Sequence, residues 1–130
     1  VAALASLTCC LLPSSCSSPE SSELAAAREA LGAGRYGEAI EHYTEVTLQA
    51  PDSPEAAQAL YEVALIHYLR RRDLDAAGST FRKILSTYPE SAVARDARRL
   101  QARMYEEDLG EPDKAIHEYE LLLESETDPA

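Results

Sequence analysis

Residues 72–91, RDLDAAGSTFRKILSTYPES, decide how this chain folds. Leu74, Ala77, Phe81, Ile84, Leu85 and Tyr88 recur at the three- and four-residue steps of one helix face, so the segment reads as an amphipathic helix. Asp73 is placed to cap its start, and Pro89 stops it. The same pattern returns on both sides, as GRYGEAIEHYTEVTLQAPDS over residues 34–53 and GEPDKAIHEYELLLESETDP over residues 110–129. Ala39, Ala77 and Ala115 are 38 residues apart, as are Tyr43, Phe81 and Tyr119, and Val46, Ile84 and Leu122. Pro51 and Pro89, and Ser53 and Ser91, keep the same step. A fixed period of this size marks a stacked array of supersecondary units.

A second helix precedes each of these segments. In SPEAAQALYEVALIHY, residues 53–68, Ser53 suits a cap, Pro54 the first helical turn, and Glu55 the positive end of the helix dipole. Ala56, Leu60, Ala64 and Tyr68, with Tyr61 and Leu65, form its apolar stripe. No stretch alternates with the period of a strand. The expectation is an all-α chain, an α-solenoid of three antiparallel helix hairpins with period 38, over about residues 24–53, 54–90 and 91–130. A small Ala at residues 39, 77 and 115 lets helices approach closely, and the aromatic one turn later fills the gap between hairpins. Unit three departs from the pattern. It has no aromatic near Arg98 and reads as carrying one extra residue, Asp108, before Gly110.

With 130 residues the chain suits one domain and can bury a core without staples. Its net charge of -11 argues against a nucleic-acid partner, which calls for a basic footprint. The charge is uneven. Residues 70–103 carry nine basic side chains against four acids, whereas residues 106–130 carry ten acids against Lys114 alone. Such asymmetry can steer partners or draw neighbouring copies together, and its plainer reading is solvated helix faces. Leu121, Leu122 and Leu123 read as an exposed face on the last helix. Either the natural chain continues past Ala130, or this C-terminal hairpin meets a partner or self-associates.

The Ala77, Phe81, Pro89 and Ala39, Tyr43, Pro51 sets resemble the signature of the tetratricopeptide repeat, with Gly34 and Gly110 matching its turn glycine. Tyr61 and Tyr68 match the aromatic places of its first helix. The longer period, with PDSPEA and YPESAVA opening successive units, is similar to periplasmic repeat proteins of the Gram-negative envelope. These include the Tol-Pal-associated coordinator of division and the lipoprotein of the outer-membrane β-barrel assembly machine. The resemblance implies a protein-binding scaffold without catalysis or cofactor, whose first helices line a concave groove for extended or helical partner segments. On that reading Ile66, Leu69, Arg70, Arg99 and Met104 line the groove, while Tyr61 packs between hairpins. The groove would be basic and would favour an acidic partner.

All three cysteines, Cys9, Cys10 and Cys16, lie in the apolar and serine-rich start of the chain. Residues 1–12, VAALASLTCCLL, are too short to span a bilayer but match the apolar region of a signal peptide. An apolar run, small residues, Cys and then a serine-rich linker is similar to a bacterial lipoprotein signal. The resemblance implies a signal over 1–16, lipid attachment at Cys16, a tether over 17–23, and a place on the periplasmic side of the outer membrane. Pro13 stands where that signal usually has a large apolar residue, and Cys10 has Leu7 at the fitting offset. An ordinary cleaved signal and an uncleaved apolar tail remain alternatives, as does a soluble adaptor with no membrane role. A disulfide among these cysteines would close only a short loop outside the core.

Reactive chemistry finds little footing. His42, His67 and His117 stand in no metal-binding spacing, and no phosphate-binding loop or nucleophile elbow occurs. GAGRYG lies between two helices and reads as a turn.

Overall fold

The computed structural model describes residues 19–127. The proposed signal, Cys9, Cys10 and Cys16 lie outside them. The described residues contain no strand and form α1 (Pro19–Gly32), α2 (Tyr36–Gln49), α3 (Pro54–Leu65), α4 (Leu74–Thr87), α5 (Ala94–Arg103) and α6 (Pro112–Thr127). Two π-helical segments extend α3 and α5, Ile66–Arg71 and Met104–Asp108. Each helix packs on its neighbours in the chain. Three hairpins therefore stack, with α1, α3 and α5 in one layer and α2, α4 and α6 in the other. The expected all-α solenoid of hairpins is what forms.

Local chemistry sets the helix ends. The Ser53 hydroxyl accepts from the Ala56 N–H at 3.1 Å, with Pro54 in the first turn. The Asp73 carboxylate accepts from the Ala76 N–H at 3.0 Å. Both satisfy donors that the helix itself leaves orphaned. Pro19 opens α1, so residues 19–23, expected as tether, are helical instead. The helix-favouring run ELAAAREAL explains the extension, and the Glu23 carboxylate accepts a hydrogen bond from His42 at 2.6 Å.

The period reappears in the backbone. Gly34, Arg72 and Gly110 occupy the left-handed region, with φ of +74°, +53° and +63°. They are 38 residues apart and close the same turn in each hairpin. Unit three therefore holds no extra residue relative to unit two. What differs from a plain α-helix is the π segment, which widens the final turn at the same register in both units. Arg72 is the only non-glycine of the three, and its side chain reaches Asp108 of the next hairpin.

Ala39 and Ala77 are fully buried, and Ala115 nearly so. Tyr43 and Phe81 insert beside them, 2% and 0% exposed. Two cores result. The first joins α1, α2 and α3 through Ala27, Ala30, Tyr43, Val46, Val63 and Ile66. The second joins α3, α4 and α5 through Leu60, Tyr68, Phe81, Ile84, Ala97 and Met104. At 0–2% residual exposure, each aromatic contributes roughly 2–3 kcal/mol of burial.

Candidate protein-binding surface

Burial on α3 and α5 leaves one stripe of each open at helical spacing. On α3 and its π extension the stripe is Gln58, Tyr61, Leu65 and Leu69. On α5 it is Asp96, Arg99, Arg103 and Glu107. The members correspond one to one at the repeat step of 38, so the stripes run in register on neighbouring first helices. One is aromatic and aliphatic, the other charged.

Tyr61 packs partly against the second core, as expected, yet keeps an exposed edge. Burial raises its hydroxyl pKa, Asp96 and Glu62 add to the rise, and Arg99 and Arg103 oppose it. The tyrosine therefore feels both arginines of the adjacent stripe. Arg99 pairs with Asp96 at 2.9 Å and Arg103 with Glu107 at 3.7 Å. All four side chains are about half exposed, so these pairs hold little energy and open to a competing carboxylate.

The expected groove residues divide. Leu69 is 49% exposed, and Arg70 and Arg99 are exposed. Ile66 and Met104 are 1% exposed and belong to the first and second cores, which removes them as partner contacts. They are register equivalents, and each begins a π segment. Arg70 corresponds in register to Asp108, so it does not share a row with Arg99.

The local positive charge is also redistributed. Arg98 binds Glu118 at 2.7 Å across the third hairpin, Arg72 binds Asp108, and Arg82 and Lys83 lie on α4 in the other layer. A uniformly basic groove is therefore replaced by a mixed charged stripe with Arg99 and Arg103 at its centre. Leu65 is the residue that sequence reasoning left off this surface, and Tyr61, assigned to packing between hairpins, also keeps an edge on it. Their place opposite Arg99 and Arg103 in the 38-residue alignment was the signal.

A second concavity of about 750 Å³ opens between the loops that follow α2 and α4. Pro54, Ala57, Tyr88, Pro89 and Val93 line it, with Asp52, Glu55 and Glu90 at its edge. The Tyr88 hydroxyl donates to the Pro51 carbonyl and ties the two loops together. The lining contains no histidine, lysine or cysteine to activate a nucleophile. Among the described residues no three His, Cys, Asp or Glu side chains converge as a metal site. No helix among them is long and apolar enough to cross a membrane.

These features describe an open surface with an apolar and a charged track. A search of curated proteins returns no match. The family model for the tetratricopeptide repeat matches residues 24–92, slightly more than half the chain and the segment that holds the first core, α4 and the inter-hairpin loops. Together with six stacked helices at a 38-residue step, this match shows that the chain belongs to the tetratricopeptide repeat family.

Proposed function

We propose that this protein is an interaction scaffold of the bacterial cell envelope that holds amphipathic segments of envelope proteins across α3 and α5. The paired stripes carry the reading. Tyr61, Leu65 and Leu69 offer an apolar track, and Arg99 and Arg103 beside it offer charge to acidic side chains along one edge of the ligand. Tyrosine and arginine are favoured anchors at such surfaces because each combines contact area with a directed polar group. Partner specificity rests in these side chains rather than in the scaffold.

The lipid anchor at Cys16 and the outer-membrane location belong to the same proposal. They rest on the resemblance of the first residues to a lipoprotein signal. Intact mass of protein extracted from membranes, compared with Cys16→Ala, tests them. A diacylglycerol-plus-acyl mass on a chain starting at Cys16, absent from the variant, supports anchoring. An unmodified chain leaves a soluble adaptor.

The binding surface has its own test. A photocrosslinking residue at Leu65 should capture a discrete partner, whereas one at Lys83 on the other layer should not. Tyr61→Ala combined with Arg99→Glu should weaken the captured partner at least tenfold with helicity unchanged. Equal capture from both positions would remove the stripes from the account.

A further inference from the structure

The turns inside the hairpins lie along one edge of the stack and the loops between hairpins along the other, because the two helices of each hairpin run antiparallel. On the turn edge, Leu69 is 49% exposed and is followed by Arg70 and Arg71, both exposed. Neither arginine forms an ion pair among the described residues, whereas Arg72, the next residue, is held by Asp108. Arginines at a helix end suit its dipole. That accounts for the charge but not for the bare leucine beside it. Of the exposed large apolar side chains Leu48, Leu69, Leu109, Ile116 and Leu123, only Leu69 is followed directly by unpaired cations. On the loop edge, the concavity of about 750 Å³ has the opposite character. Ala57 and Val93 are buried at its base, Pro54 and Pro89 are exposed, and Asp52, Glu55 and Glu90 stand around it. None of these acids forms an ion pair among the described residues, and no lysine, arginine or histidine lines the site. Its walls are set in advance. The Ser53 and Ser91 N–H groups donate to the Ala50 and Tyr88 carbonyls at 3.0 Å each, and the Tyr88 hydroxyl ties the two loops together. One unit on, Arg95 takes the place of Ala57 and, with Arg98, lines a smaller concavity of about 310 Å³. The acid-rimmed room is therefore a property of this junction and not of the repeat.

We propose that the turn at Leu69, Arg70 and Arg71 of one copy docks in the concavity beside Tyr88 of a second copy. This contact needs no ligand on α3 and α5. Leu69 covers the apolar base, the aliphatic stems of the arginines lie on the two prolines, and the guanidinium groups reach the surrounding carboxylates. The volume is that of a pocket for a drug-sized ligand, which accommodates these side chains. The charges on both sides are unpaired, so the contact breaks no ion pair. The net charge of -11 repels copies at a distance, but at physiological salt that field decays over about 8 Å and the local pairing decides. Residues 1–18 contain no lysine or arginine and supply no rival segment. The two surfaces are separated by the 14 residues of α4, about 21 Å, so a copy does not fill its own site. The contact is therefore head-to-tail, each copy giving its turn and receiving another.

Sedimentation equilibrium of the full chain tests the contact. The average mass should rise above that of the monomer as concentration increases. Arg70→Glu combined with Arg71→Glu should abolish the rise, as should Asp52→Lys combined with Glu90→Lys. All four positions are exposed, so both variants should keep their helicity. An equimolar mixture of the two variants should regain the rise, because each then meets the opposite charge on the other. The single changes Arg70→Glu and Glu90→Lys form a milder pair with the same expectation, for use if a double variant loses helicity. A wild-type chain that stays monomeric at every concentration overturns the proposal. So does association that either variant retains, which places the contact elsewhere, and so does a mixture that fails to recover.

Discussion

The two junctions between hairpins are built from the same register yet differ in chemistry. The first is aliphatic around Tyr43, with Val63 and Ile66 opposite. The second places Gln101 where the first has Val63. Gln101 is 1% exposed, its amide donates to the Tyr105 hydroxyl at 3.2 Å, and its Oε1 has no hydrogen-bond partner. The second junction also has a clasp that the first lacks. The Tyr68 hydroxyl donates to Asp108 at 2.7 Å, and Arg72 pairs with the same carboxylate from the left-handed turn. A mainly aliphatic interface thus stands beside one with a buried polar defect and a polar tie at its rim. One period can be kept while the means of holding the units together changes.

The largest effect expected from breaking this comparison is at the knob of the second junction. Phe81→Ala should destabilise the protein by about 3–5 kcal/mol, read from urea unfolding, because a fully buried ring leaves a cavity. It would also remove the edge-on contact with Tyr68, whose ring centroid is 6.3 Å away. Next comes the clasp. Asp108→Ala should cost about 1–3 kcal/mol, since it takes the acceptor from the Tyr68 hydroxyl and the partner from Arg72. The Tyr68 hydroxyl bond and then Arg72 hold the Asp108 carboxyl below its ordinary value of 3.8. Its contribution is therefore complete above pH 3.8 and lost as pH falls through the lower folded value.

A smaller change should make the second junction resemble the first. Gln101→Leu should stabilise by about 1 kcal/mol in thermal melts, because it removes an unpartnered buried oxygen at similar volume. The smallest effect expected is a dependence on pH. Burial, then the charge of Arg71, pushes His67 below 6.5, with Asp73 opposing; its Nδ1 has no hydrogen-bond partner. The folded state therefore favours the neutral ring. Stability should be complete above pH 6.5 and decline as the pH falls from there toward the folded value. His67→Gln should flatten that decline, which lies well above the window of Asp108.

Most of the architecture was legible in residue spacing. Alanine and aromatic residues at a 38-residue step gave the hairpins, the knobs and the turn glycines. The π segments were not legible, because the apolar stripe of a helix does not report a widened last turn. Ile66 and Met104 were misplaced for that reason, and their equivalent in unit one, the exposed Arg28, hid the alignment. The charged surface was half legible. Arg99 could be named from the sequence, but net charge over residues 70–103 cannot separate an arginine facing Glu118 from one facing solvent.

Because every helix packs on its neighbours in the chain, native contacts close short loops. The entropy lost before each contact forms is small, so folding should be rapid for the chain's length. The same arrangement lets protection be graded. Among the described residues the α6 helix packs on one side only, so in this chain it should exchange its amide hydrogens before α2 and α4, which are packed on both. A partner that covered α6 would slow that exchange, and the timing of deuterium uptake along the chain would then report occupancy without any label on the protein.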